Sequence, residues 1–344
     1  MHNDQHSEKP LKPANRESEK HYITVIGGLN IDITGRPFGD GIPDNSNPGN
    51  ITLSLGGVGC NIARNLSRLY SNTKAPLPES QSRLRISLLT TVGEDILSSF
   101  ALEELKKEPN LDTSNIVSLQ KEQCGIYLSV VEGERITAVS DTRVTERITP
   151  EMVESWLPTI EKSVFVVADT NLSAQSLNAI LNITNKNEIP TLIQGVSVQK
   201  NEKLKELKHP FTYLSCNLKE YRSINVNPNE QGNKTGVLTR VTRGIIVTMG
   251  ADGAKFVPSV HFIHPPIQVP TRKTKVVNPN GAGDAFSAGF IYSITKTPAG
   301  KLYLEDALYY GIAAAYITLR SSNTVSDELS SNTLETTVKR IKNS

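Results

Sequence analysis

No pair of cysteines in this chain has the CxxC spacing. Cys60, Cys124 and Cys216 are scattered through 344 residues. That argues against both a disulfide scaffold and a structural zinc site, and it fits a reducing cytosol. The six histidines, His2, His6, His21, His209, His261 and His264, show no metal-ligand spacing. No apolar run approaches the roughly 20 residues of a membrane span. Neither sign of charge is in excess: the formal net charge is +2. Nothing there calls for nucleic acid or an anionic membrane as partner. Two phosphate-binding signatures are also missing, the GxGxxG of dinucleotide folds and the GxxxxGK[ST] of P-loops. What remains is the composition of an ordinary globular protein, with 21% charged and 37% hydrophobic residues.

The first twenty residues, "MHNDQHSEKPLKPANRESEK", contain no apolar stretch for a signal peptide. Their acids, Asp4, Glu8, Glu17 and Glu19, fit a mitochondrial presequence poorly. The expectation is a disordered polar tail over 1–20 on a cytoplasmic protein.

From "HYITVIGG" onward the chain alternates between two patterns. Short β-branched runs such as "SVFVVADT", "PTLIQGVS", "FTYLSCN" and "RGIIVTMGADG" read as buried strands. Helical spacing follows them, with starts near Ser173, Leu218 and Asp284 and a late apolar helix over "ALYYGIAAAYITL". Strands alternating with helices predict an α/β fold, a doubly wound and mostly parallel sheet covered on both faces. Two early regions, about 29–55 and 123–141, alternate as half-exposed strands and predict a smaller second sheet. No linker cuts the chain into independent domains, so residues 21–340 read as one domain. Trp156 reads as a packing residue, and Cys60 as a small buried side chain.

The segment "VVNPNGAGDAFSAGF" places an acid, Asp284, directly behind Gly281-Ala282-Gly283 at the mouth of a small-residue helix. A helix N-terminus with bare backbone N–H groups is an anion site. The acid there has two readings. It caps the helix, stabilising it by about 1 kcal/mol, or it is a base beside an anion hole. A second glycine cluster, Gly56-Gly57-Val58-Gly59, also lies between a strand and a helix. By itself it favours a tight packing turn over a binding loop. Asp32 and Asn61 can reach the same sheet edge as Asp284, where ligands of doubly wound sheets sit.

"GGLNID", "GGVGCNIA", "NLKE" and "NPNGAGDAFSAGF" stand in the order and rough spacing of the ribokinase-like (PfkB) carbohydrate kinases. The resemblance runs from about Tyr22 to Asp327. Within that family the chain is most similar to the pseudouridine kinases, through "SNPGNITLSLGGVGCNIARNL", "VVADTNLS" and "GVSVQK". The resemblance implies ATP-dependent phosphorylation of the 5′-hydroxyl of pseudouridine. Asp284 would be the base, and Gly281, Ala282 and Gly283 the anion hole for the transferred phosphoryl group. Asn30, Asp32, Gly56, Gly57, Val58 and Asn61 would bind the nucleoside, with Asn47 and Asn171 as candidates for the edge of the base. Lys200, Asn217, Thr248, Gly250, Gly253 and Asn280 would face ATP. Glu220, with Asn217, would position Mg²⁺. The early strands would form a lid over the sugar and offer a homodimer surface.

Two positions depart from the family pattern. Asn280 stands where many members have Thr, and Gln194-Gly195 where related kinases tend to have Asp-Pro. Asn278 replaces a common Asp but agrees with the pseudouridine kinases. Two other readings follow: a kinase of another sugar or nucleoside, such as ribose, uridine or adenosine, and a nonenzymatic nucleoside-binding member.

Overall fold

Period-two alternation along the buried strands builds two apolar layers, one on each face of a central sheet. In Ser163–Asp169, Phe165 and Val167 join Ile23, Val25, Leu66, Phe286 and Phe290 on one side. Val166 and Ala168 join Ile26, Trp156, Leu177 and Leu214 on the other. Both layers are dry enough that truncating Phe290 to alanine would cost about 3–5 kcal/mol. The computed structural model describes residues 20–42, 44–71, 84–133, 135–224, 237–297 and 301–343. The expected tail over 1–20 lies outside the described residues apart from Lys20.

The central sheet is α/β in type and mostly parallel. From one edge its strands run Ile267–Val269, Ala254–Pro258, Val241–Thr248, Phe211–Asn217, Thr191–Gln194, Ser163–Asp169, Tyr22–Ile26, Arg85–Val92 and Leu111–Asp112. A short strand, Ile116–Ser118, also pairs with Arg85–Val92. Only the first two pairings of this order are antiparallel, so Ala254–Pro258 alone runs against the other strands. The chain starts in the middle, at Tyr22–Ile26. It adds Arg85–Val92 on one side and Ser163–Asp169 on the other. The order reverses there, and a crevice opens beyond the carboxyl ends of those strands.

Helices Val58–Ser71, Ala282–Lys296 and Leu304–Leu319 cover one face, and Ala174–Lys186 covers the other. Ser173 caps Ala174–Lys186 by accepting from Ser176 N. The longer helices Ile96–Leu105 and Ser331–Lys342 have no counterpart in the sequence reading.

A separate four-stranded sheet stands over the crevice. Its order is Gly49–Gly56, Asn30–Pro37, Gly125–Glu132 and Arg135–Asp141. Register puts Ser54, Asp32, Tyr127 and Ser140 in one cross-strand row. The next row, on the opposite face, is Leu53, Ile33, Leu128 and Val139.

Candidate active site

Helix Ala282–Lys296 begins at Gly281, whose φ of 80° and ψ of −7° are left-handed. Glycine is required there twice over. The conformation disfavours any side chain, and a Cβ would sit 2.1 Å from the Thr324 carbonyl oxygen. Gly283 has open space where a Cβ would point. The helix therefore starts with uncapped N–H groups beside room for an anion.

Asp284 is the third residue of this helix, not its cap. No side chain caps the helix at Gly281. The Asp284 carboxylate instead accepts a 2.9 Å hydrogen bond from Asn61 Nδ2. Asn61 comes from the first turn of Val58–Ser71, which follows Gly57 at φ 93°. Burial pushes the Asp284 carboxyl up to about 8, against the lowering effect of Asn61. The negative charges of Asp169 and Asp32 add to the rise. Asp32 is pushed up to about 7 by burial, with Asn30 and Arg64 opposing. Asn30 Nδ2 donates to Asp32 at 2.6 Å, and Gly56 leaves the room that the Asp32 carboxyl occupies.

Two cavities of about 540 Å³ each meet at the first turn of this helix. The first is polar. Asn30, Asp32, Gly57, Val58, Asn61, Asn171, Lys200, Asn217, Glu220, Asn280, Gly281 and Asp284 all line it. The second is more apolar, with Gly250, Gly253, Ala282, Phe286, Ile312 and Tyr316 in its wall. Thr248 and Gly283 belong to both. Asp284 therefore faces one cavity while the bare N–H groups sit at the junction of the two.

At the far side of the first cavity, Glu220 and Asn217 hold each other. Asn217 Nδ2 donates to Glu220 Oε1 at 2.6 Å, and Glu220 N donates to Asn217 Oδ1 at 2.9 Å. Glu220 is 5% exposed, and burial raises its pKa. Lys200 donates to Asn171 Oδ1 and to Thr142 Oγ1, so its ammonium lies against the small sheet's last strand.

Gln194 fits its site through an amide pair. Its Oε1 accepts from Ser287 Oγ at 2.6 Å, one turn beyond Asp284, and its Nε2 donates to Gly195 O. Asn278 donates to Ser322 O and accepts from Asn280 N, which shapes the turn before Gly281.

Two expected residues line neither cavity: Gly56, which instead leaves room for the Asp32 carboxyl, and Asn47. Asn47 accepts from Ile42 N and donates to Ile42 O, so its amide closes its own exposed loop. Asn side chains commonly satisfy local backbone in this way. Conversely, Tyr127, Ser140, Thr142 and Thr324 line the first cavity without having been singled out by sequence. Nor was Asp169 singled out, a buried acid bonded to three backbone N–H groups. An acid ending a buried strand was its one visible signal.

Comparison with known proteins agrees with this geometry. The family model "pfkB family carbohydrate kinase" matches residues 20–331. The chain is 28% identical to a pseudouridine kinase of Escherichia coli over 280 residues, covering 79% of this chain and 83% of that one. It is 26% identical to a guanosine-inosine kinase of Exiguobacterium acetylicum over 312 residues, covering 85% and 92%. An Arabidopsis thaliana ribokinase solved with ribose and ATP shares the fold at a TM-score of 0.73 and 18% identity, covering 93% of this chain and 99% of that one. A ribokinase-like fold with an acid behind a glycine-lined helix N-terminus, matched along nearly its whole length, places this chain in the pfkB family of carbohydrate kinases, phosphotransferases that act on a sugar hydroxyl.

Proposed function

We propose that the chain transfers the γ-phosphoryl group of ATP to the 5′-hydroxyl of pseudouridine. The observation that carries the reading is the position of Asp284. It is a buried carboxylate in the wall of the polar cavity, one residue from the junction with the apolar one. A nucleoside in the first cavity would present its hydroxyl to Asp284, and ATP in the second would present its phosphates to the helix N-terminus. Asp284 takes the hydroxyl proton as the oxygen attacks phosphorus. The N–H groups at Gly281–Gly283 hold the charge that develops on the phosphoryl oxygens. Asn61 keeps the carboxylate aimed and favours its ionised form.

The residues present also fit Mg²⁺. Glu220 is a buried carboxylate whose partners are amides, and a hard oxygen donor suits that ion. Asn217 orients it. When bound, the metal would supply positive charge to the phosphates. Thr248, Gly250 and Gly253 wall the proposed nucleotide side, and Asn280 stands on the polar side.

Pseudouridine is favoured by Val58 in the cavity wall, which leaves an apolar surface for a flat ring, and by the pseudouridine kinase relative. Asn171 is the amide within reach of a base edge. A purine nucleoside is the second reading, motivated by the guanosine-inosine kinase relative. The four-stranded sheet is proposed as the lid, with Asp32, Tyr127 and Ser140 facing the acceptor. Its outer face carries Ile51, Leu53, Leu128 and Val139, all exposed, and is proposed to pair two copies of the chain.

An ADP-release assay over pseudouridine, uridine, adenosine, inosine, guanosine and ribose tests the reading. Release with pseudouridine above the rest supports it. Release only with purine nucleosides replaces it with the second reading.

A further inference from the structure

Asp169 ends the strand beside Tyr22–Ile26, where the sheet order reverses, and its side chain is fully buried. Oδ2 accepts from Gly28 N at 2.8 Å and from Gly59 N at 2.9 Å. Oδ1 accepts from Asn171 N at 2.9 Å. Those three amides belong to three different segments: the turn after the first strand, the first turn of helix Val58–Ser71, and the loop after Asp169 itself. Each segment carries polar side chains of the first cavity. The turn leads to Asn30 and Asp32, the helix start holds Asn61, and the last loop holds Asn171.

The glycines around it are the imprint of this carboxylate. A Cβ on Gly27 would lie 2.2 Å from Asp169 Oδ2, and one on Gly59 would lie 2.8 Å from the Gly27 backbone. The turn and the helix start are thus drawn together until only hydrogen fits between them. Both oxygens meet N–H donors, so every contact suits the ionised acid. Lys200 supplies charge of the opposite sign, and its ammonium is hydrogen-bonded to Asn171. The same ammonium reaches Thr142 at the end of the lid sheet.

We infer that Asp169 is a positioning residue for the phosphoryl acceptor: one buried carboxylate sets the spacing of the three segments that bind it. The bland alternative is a structural tie that only stabilises the start of helix Val58–Ser71. The two differ in what they do to substrates. A structural tie lowers melting temperature and leaves Michaelis constants alone. A positioning residue raises KM for the acceptor and spares KM for ATP, whose cavity shares none of the three segments.

The inference rests on the proposed acceptor reading for its substrate, so the test has an arm that needs none. Asp169→Asn replaces one acceptor oxygen by an NH₂ group, which cannot receive the N–H that faces it. Amide hydrogen exchange is measured at Gly28, Gly59 and Asn171 in both proteins, together with KM for pseudouridine, or for whichever nucleoside the wild-type chain turns over. Expected are faster exchange at one or more of the three amides, an acceptor KM at least tenfold higher, and an ATP KM within twofold. Unchanged acceptor KM alongside faster exchange overturns the inference and leaves the structural tie. If Asp169→Asn does not fold, Lys200→Met decides, since that side chain is only partly buried. A higher acceptor KM with ATP unaffected supports the inference, and a higher ATP KM alone overturns it. A wild-type chain that turns over no nucleoside defeats the acceptor reading itself. Exchange then reports on the contacts of Asp169 alone, and unaltered exchange at the three amides removes the tie and the inference with it.

Discussion

Asn61 Nδ2 lies 2.9 Å from the Asp284 carboxylate and joins the first turns of two helices across 223 residues of sequence. A donor to a carboxylate favours its charged form, and Asn61 is the group that opposes the upward push of burial on Asp284. Asn61→Ala therefore raises the pKa of the base. The acid limb of kcat/KM, which reports the free enzyme, moves to higher pH. At pH 7 the loss is expected to be about tenfold or more, and it narrows as pH rises toward 9. Parallel pH profiles for the two proteins would contradict the link.

Asp284 also predicts a conflict between activity and stability. Its folded pKa of about 8 lies far above the ordinary 3.8 of an aspartate in the unfolded chain. The native state then holds a proton that the unfolded state releases. This stability is fully present below pH 4 and is lost as pH rises through 8. Asp284→Asn removes the ionisable group, so it should melt higher than wild type at pH 8, by ~2 °C or more. The gap should shrink at pH 5. The same variant should lose about 10²–10⁴-fold in kcat, with acceptor affinity nearly intact. Calorimetry at the two pH values, paired with turnover, checks both halves.

Glu220 is argued to offer oxygen to the metal while Asn217 holds it in place. Glu220→Gln keeps the shape and removes the charge. The Mg²⁺ concentration for half-maximal activity should rise at least about tenfold, as outer-sphere and ligand changes commonly do, with acceptor KM unchanged. An identical magnesium titration would remove Glu220 from the metal site.

The outer face of the lid should hold two copies together through Leu53, Leu128 and Val139. Leu128→Asp places a charge inside that row, where burying it unpaired is unfavourable. Sedimentation velocity should find a dimer for wild type and a monomer for the variant. A wild-type monomer at the same concentration would defeat the proposal.

Much of this architecture was legible because local period and global fold agree. "SVFVVAD" alternates between two apolar layers and is a strand, and "GAGDAFSAGF" has the small residues that a helix start packed against its neighbours needs. Gly281 was readable as the glycine that starts the helix, since only glycine takes that left-handed position under the Thr324 carbonyl. Asp169 was not, because its partners are backbone groups brought near only when the first and later strands pair. Thr324 sits in a polar stretch with no period, and its hydroxyl finds Leu55 O only in the folded chain. Helix Ser331–Lys342 carried a usable signal in Leu334, Val338 and Ile341, which are its buried hydrophobic residues. Asn47 shows the opposite error: a side chain placed in the pocket by resemblance is consumed by its own turn.

The central claim is the identity of the acceptor. Pseudouridine joins uracil to ribose through carbon, so its ring keeps an N1–H that uridine lacks. A site with an acceptor for that proton leaves a buried polar group unpaired when uridine binds. The most direct measurement is kcat/KM for pseudouridine and for uridine, side by side, with ATP and Mg²⁺ saturating. The account predicts pseudouridine ahead by roughly a hundredfold or more, the scale of one unmatched buried hydrogen bond. Equal turnover of the two nucleosides would contradict it and leave a pfkB-family kinase of broader acceptor range.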